Sequence, residues 1–455
     1  MDIVRIKSGM LRGKREDGCT VFYGIPYAAA PVGTLRWAPP GEVIPWQGMW
    51  DCTRMGNRCY QAVPGEMLRA DSSVPDAERR KVDYVKEFHS NPDYPDAPEA
   101  EDALTLNVWT PAQTPSEGLS VAVWIHGGAF INGSGQEMEF DGREYARRGV
   151  ILVTLNYRLG LLGFFSHPDL QRETERFGNY GLQDQLAALR WVRENIAAFG
   201  GDPDKVTLFG QSAGCESVLY QLCARESRGL FQKVILQSGG GYRSAFAGLH
   251  TDAAAAARAG LEFGRRYFDT DSIHTLRALP VPALREAALR EQQRLGSIPP
   301  FMVPAVGAAL LPVGKDQAVE ADAIPHLPSI IGTTSEDMAP AEMARGAINW
   351  AKQMEAVGAP AAYVYLFSHQ PLGDRTGAFH SSELWYMFGT LQRSWRPKEE
   401  CDYLLSREML DRWCAFIRTG SPNTGALPLW DPYTTENPEV HSFCLRPRQD
   451  TAGSL

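Results

Sequence analysis

Short, almost continuously apolar runs recur along the chain: 119–126 (LSVAVWIH), 149–156 (GVILVTLN), 205–210 (KVTLFG), 233–239 (KVILQSG), 328–333 (PSIIGT) and 362–367 (AYVYLF). A strand with one wet face alternates apolar and polar residues, whereas unbroken runs of this length belong to strands buried on both faces, and so to a parallel sheet covered by helices. Between the runs the period lengthens. Leu182, Leu186, Leu189, Val192, Ile196 and Phe199 recur every three or four residues, and Gly200 offers a C-terminal cap. Leu405, Met409, Trp413, Phe416 and Ile417 draw a second stripe that ends before Gly420. Alternating strands and helices define an α/β class with a mostly parallel central sheet flanked by helices, joined by right-handed crossovers.

Two stretches break this rhythm. Residues 62–100 are charged and proline-bearing with no strand signal, which predicts a long excursion over the surface. Residues 241–326 hold the helical runs DAAAAARAG and ALREAALREQQRL among prolines, which predicts a helical insertion beside the active site argued below. No internal repeat is visible, and residues 1–455 are read as a single catalytic domain carrying insertions.

Composition narrows the function classes. With 455 residues, 44% hydrophobic and 10% aromatic, the chain can bury a large core. A net charge of −9 with no Lys/Arg-rich tract argues against a nucleic-acid partner. The opening MDIVRIKSGMLRGK lacks the apolar core of a signal peptide, and no run of about 18 apolar residues exists to cross a membrane. Eight cysteines (Cys19, Cys52, Cys59, Cys215, Cys223, Cys401, Cys414, Cys444) show no paired spacing, which predicts free thiols in a reducing, cytoplasmic setting. The sequon at Asn132 follows a glycine loop placed at the active site, where a glycan would block access, so it is read as accidental.

The candidate chemistry centres on FGQSAGCES (209–217). A bare G-x-S-x-G is common by chance, but here it follows an apolar strand and precedes a helix starting near Ala213, the setting of a nucleophile elbow. Gly210 and Gly214 remove side chains that would collide across so sharp a turn, lifting Ser212 clear of the sheet. A serine hydroxyl needs a base and a carboxylate to orient that base. Of nine histidines, His380 in GAFHSSELWYMFG lies downstream of the serine and beyond a strand, and PSIIGTTSED supplies Glu336 and Asp337 after another strand. VWIHGGAF supplies a glycine-rich turn whose N–H groups can meet a developing oxyanion. No HExxH, paired-cysteine or P-loop pattern calls for a metal or cofactor, and none is expected.

These segments resemble the type-B carboxylesterase family, the cholinesterase-like branch of the α/β-hydrolases. The likeness runs from GIPYAAAPVGTLRWAPP (24–40) through EDALTLNVWTP, VWIHGGAF, NYRLGLLGF, the block from Gly178 to Gly214 and GAFHSSEL to FIRTGSPN (416–423). It implies an α/β-hydrolase fold and a serine esterase with Ser212 as nucleophile, His380 as base and Asp337 as orienting acid, Glu336 being the alternative. It implies oxyanion donors at Gly128, Ala129 and Ala213, with Gly127, Gln211 and Glu383 in support. Buried ion pairs Arg36–Glu101 and Arg158–Asp184 also follow from it.

Departures from the family pattern are informative. Gln211 stands where Glu is common, Ala129 replaces the third glycine, and Ala103 replaces a cysteine that would pair with Cys59. Acid and histidine are only 43 residues apart, which predicts a shortened cap over 338–375. No Trp lies between Cys52 and Glu101 to face a quaternary ammonium, which argues against choline esters. The expected partner is a small-molecule ester, with the oligomeric state left open. An amide or carbamate substrate stays an alternative because a triad does not select the leaving group, while a noncatalytic cholinesterase-like binding protein would have lost the serine.

Overall fold

A computed structural model of the protein describes residues 1–61, 82–244 and 249–446. Ten strands form one sheet: β1 (Lys14–Glu16), β2 (Cys19–Pro26), β3 (Thr105–Thr110), β4 (Leu119–Ile125), β5 (Val150–Leu155), β6 (Gly201–Gln211), β7 (Lys233–Gln237), β8 (Ser329–Thr334), β9 (Ala362–Phe367) and β10 (Val440–Phe443). Their spatial order is β1-β2-β3-β5-β4-β6-β7-β8-β9-β10. From β5 to β10 every neighbouring pair is parallel, and β1, β2 and β3 add an antiparallel edge. All six apolar runs are strands of this sheet.

Alternate residues of the central strands feed two different cores, which is why the runs are apolar throughout. Val121, Val123 and Ile125 of β4 point to one face, and Ala122 and Trp124 to the other. The first face is covered by α1 (Tyr180–Asn195) and α2 (Ala213–Cys223). The second is covered by α6 (Glu400–Thr419), whose Leu405, Met409, Trp413, Phe416 and Ile417 are all buried. Gly420 closes that helix in the left-handed region at φ 81°.

The insertion at 241–326 is helical, with α3 (Ala253–Phe268) and α4 (Val281–Leu295). Its apolar face packs on Trp37, Leu161, Phe165 and Tyr180, and it lines a smaller cavity with Ile131, Leu159 and Gln61, the last of which also lines the cleft that holds Ser212. Residues 338–375 depart from expectation. They form α5 (Pro340–Ala356), packed on β8 and β9 through Met343, Trp350 and Met354, and then β9 itself, so they build sheet rather than cap. The excursion predicted over 62–100 falls partly outside the described residues, and its described end folds inward as a short helix, Tyr84–Phe88. Glu87 of that helix is buried and accepts from the Trp385 and Trp395 indoles and from Arg396, at 2.8–2.9 Å.

Both expected ion pairs are present and bidentate. Arg158 grips Asp184 at 2.7 and 2.8 Å while donating to the Ala38 carbonyl. Arg36 grips Glu101 at 2.7 Å and donates to the carbonyls of Arg277 and Leu279, tying the insertion to the N-terminal loop. Because Arg158 and Asp184 are 3% and 0% exposed, removing one charge strands the other. Asp184→Asn is expected to cost about 3–5 kcal/mol in urea unfolding.

Candidate active site

The site sits where the carboxyl ends of β4, β6, β8 and β9 converge, the usual place for ligands on an open parallel sheet. Ser212 joins β6 directly to α2 with φ 57° and ψ −126°, a conformation costing about 1–3 kcal/mol for a residue with a side chain. Its N–H is held by the Gln237 carbonyl at 2.8 Å. The two glycines are sterically required. A Cβ on Gly210 would lie 2.5 Å from Gly214, and one on Gly214 would lie 2.1 Å from the Ile125 carbonyl oxygen.

His380 and Asp337 are brought together by one backbone bridge. Glu336 pairs in parallel with Phe379, its N–H donating to the Ala378 carbonyl at 3.0 Å, so the next residues, Asp337 and His380, fall side by side. His380 Nδ1 lies 2.5 Å from Asp337 Oδ1. Glu336 instead packs its stem against Gly377, and does not line the cleft. Asp337 also accepts from the Thr333 and Thr334 hydroxyls and from the Met338 N–H. Burial alone would raise its carboxyl, but the His380 charge and the hydrogen bonds from His380 and Thr333 hold it well below the usual carboxylate range. Burial depresses His380, and the charge and hydrogen bond of Asp337, with Glu383 behind, overcome this and raise it. Burial and the Asp337 charge in turn push Glu383 up to about 7.

Gln211, buried beside the serine, places its amide nitrogen 3.3 Å from His380 Nε2. The glycine loop follows β4: Gly127, Gly128 and Ala129 all line the same cleft as Ser212, with φ 96° at Gly128 and 54° at Ala129. Among the described residues, the N–H groups of Gly128, Ala129 and Ala213 meet no acceptor, and the last heads α2. The cleft is open to solvent, and the empty space in it and at its mouth amounts to about 950 Å³. Sequence reasoning missed much of its wall: Tyr84, Val85, Phe88 and His89 from the short helix, Glu137, Glu139 and Phe140 beyond the glycine loop, and Met338, Ser381 and Leu384. Tyr84 donates to the His380 carbonyl at 3.2 Å, and Phe88 stacks on Trp385 at 5.5 Å.

His89 is the other histidine in the cleft, but its Nδ1 faces Asp96, which also pairs with Arg58. His126 is fully buried, stacks on Tyr157 and is pushed down to about 4 by burial. His369, Cys401 and Asp402 lie close enough to suggest a metal, yet Arg446 occupies the gap, donating to Asp402 and Cys401. All eight cysteines are free thiols.

A strained serine at a strand-to-helix turn, sharing a cleft with an imidazole backed by a buried carboxylate, defines the class as α/β-hydrolase. The chain belongs to the carboxylesterase family, whose model matches residues 1–343 and 339–453. It is 32% identical to the para-nitrobenzyl esterase of Bacillus subtilis (strain 168) over 493 aligned positions, covering 96% of this chain and 94% of that protein. It is 42% identical over 236 positions to the fumonisin B1 esterase of Sphingopyxis macrogoltabida, covering 51% and 39%. A thermophilic para-nitrobenzyl esterase superposes with a TM-score of 0.83 at 29% identity, covering 98% of this chain and 96% of that one. A second para-nitrobenzyl esterase gives 0.80, covering 97% and 96%.

The elbow offers a direct structural test. Gly214→Ala should lower stability by about 1–3 kcal/mol, because the new methyl must displace backbone rather than a mobile side chain. Thermal unfolding beside Ala213→Gly, which adds no volume, checks this.

Proposed function

We propose that the protein hydrolyses carboxylic esters through Ser212, His380 and Asp337. The observation that carries the reading is the 2.5 Å contact of His380 Nδ1 with Asp337, in a cleft shared with the strained Ser212 and the unpaired N–H groups of the glycine loop. A carboxylate only accepts, so Nδ1 carries the proton and Nε2 has a lone pair free to act as base. Ser212 Oγ gives its proton to His380 Nε2 as it attacks the ester carbonyl. The oxyanion takes hydrogen bonds from the N–H groups of Gly128, Ala129 and Ala213, each worth about 3 kcal/mol in the transition state. The imidazolium then protonates the leaving alcohol. Water, deprotonated by the same nitrogen, releases the acid and restores the serine.

Asp337 holds the imidazole in its working tautomer and remains ionised. Glu383, with no link to substrate, biases the charge on His380. The free thiols are consistent with a reducing compartment, and we place the protein in the cytoplasm on that ground. No helix among the described residues is long and apolar enough to cross a membrane.

Hydrolysis of 4-nitrophenyl acetate followed in wild type and Ser212→Ala tests the reading; an unchanged rate in the variant ends it. Asp337→Asn should lower kcat by about 10⁴-fold, as expected when a triad imidazole loses its tautomer. Glu336→Gln, at a side chain that packs against Gly377 and does not line the cleft, should keep most of the activity.

The pH dependence has a definite sign. His380 works as a base only when neutral, and its raised affinity for a proton moves the loss of activity to a pH above the ordinary 6.5 of histidine. The acid limb of kcat/KM should therefore lie above that value. Glu383→Gln removes one of the charges that raise His380, and should shift the limb downward.

A further inference from the structure

Two carboxyl groups in the cleft take no part in the reaction described above. Glu139 is 2% exposed, and its Oε2 has no hydrogen-bond partner among the described residues although it lines the cleft. Glu137, partly buried, lines the same wall within hydrogen-bonding reach of Glu139. A buried carboxyl oxygen without a partner costs about 1–3 kcal/mol, so its retention at a ligand-accessible wall calls for an explanation.

The neighbouring cations do not supply one. Arg58 is engaged by Asp96 at 2.8 Å and by Glu99; His89, whose Nδ1 meets Asp96 at 3.1 Å, acts on Glu137 through its charge but makes no hydrogen bond to Glu139. Arg393 and Arg143 turn to Asp141, and Arg393 also donates to the Met138 carbonyl. Among the described residues no Lys or Arg pairs with Glu137 or Glu139. His380, across the cleft, is engaged by Asp337.

Two adjoining carboxyls in such a place resist ionising together. Burial, then the Glu137 charge, raises Glu139 far above the ordinary range, and burial likewise raises Glu137. A neutral ligand group would satisfy one oxygen and leave the pair holding a proton between them. A cation with an N–H satisfies the orphaned oxygen and lets both carboxyls carry charge. The walls suit the carbon around such a nitrogen, since Tyr84, Phe88 and Phe140 line the same cleft.

We propose that the cleft beside Ser212 selects esters bearing a protonated amine, whose N–H donates to Glu139 Oε2 while Glu137 shares its charge. This rests on the ester-hydrolase reading. The recognition differs from that of a quaternary ammonium, which has no N–H to give and depends on an aromatic face alone.

Pairs of substrates that differ only by N–H⁺ against C–H test it for either arm of the ester. The alcohol pair is 3-(dimethylamino)propyl butanoate against 4-methylpentyl butanoate. The acyl pair is methyl 4-(dimethylamino)butanoate against methyl 5-methylhexanoate. In one of the pairs the amine should lead in kcat/KM by about tenfold or more, the scale of one charge-assisted hydrogen bond. Methylating the nitrogen to the trimethylammonium analogue should lose most of that lead, and Glu139→Gln and Glu137→Gln should each bring the ratio toward one.

Calorimetric titration with N,N-dimethylbutylamine reads the subsite without turnover, and should show binding that Glu139→Gln weakens. Hydrolysis of the neutral esters with no amine preference in either pair would overturn this inference and leave the esterase reading intact. Absence of hydrolysis of every ester would overturn the esterase reading, and calorimetry would still decide the subsite: no heat of amine binding to the wild-type protein refutes it.

Discussion

One constraint organises the molecule: a serine must sit with φ 57° and ψ −126° at the end of a buried parallel strand. Nothing local favours that conformation. It is imposed by the strand before it, whose ladder to β4 and β7 runs to its last residues, and by α2 after it, which starts immediately. The backbone crossing is so close that the Gly214 Cα faces the Ile125 carbonyl with no room for a methyl. The strain therefore depends on the whole sheet, and in return the serine is presented at the carboxyl end of the sheet beside the open N–H groups of α2 and the glycine loop.

The partners of Ser212 are positioned by the same sheet, through register rather than through long-range contacts. β8 and β9 are parallel neighbours, and a single extra bridge beyond their ends, Glu336 to Phe379, carries the pairing out to the loops. Parallel pairing puts consecutive residues abreast, so that bridge alone decides which of two adjacent acids meets the histidine. A slip of one residue would put Glu336 there instead.

This explains which parts were legible in the sequence. The sheet, α1, α6 and the elbow are written in local patterns, because residues buried on both faces must be apolar and the turn must be glycine-flanked. Ser212, His380 and the glycine loop were legible for the same reason, and the choice of Asp337 over Glu336 came from the resemblance alone. The cleft wall was not legible. Residues 338–375 read as a cap because the spacing between acid and histidine was short, whereas α5 and β9 use most of that length to complete the sheet. The wall comes partly from Tyr84–Phe88, whose buried acid Glu87 is neutralised by Arg396 and two indoles more than 290 positions away. No local pattern reports a partner at that distance. Glu137 and Glu139 were passed over because acids following a loop look solvated until the fold closes over them.

The charge distribution around the base ties these observations together. Where a carboxylate beside the nucleophile would compete with Asp337 for the imidazolium, Gln211 is neutral, and its amide nitrogen at 3.3 Å from His380 Nε2 faces the lone pair that must take the serine proton. An amide donor holds that lone pair weakly, so in the proposed reaction exchanging it for the Ser212 hydroxyl costs little. The two further acids of the cleft, Glu137 and Glu139, share its lining with the aromatic residues Tyr84, Phe88 and Phe140. In the proposed reading this separates two tasks, because the groups that set the proton affinity of His380 are Asp337 and Glu383 and not the acids proposed to meet a positively charged ligand.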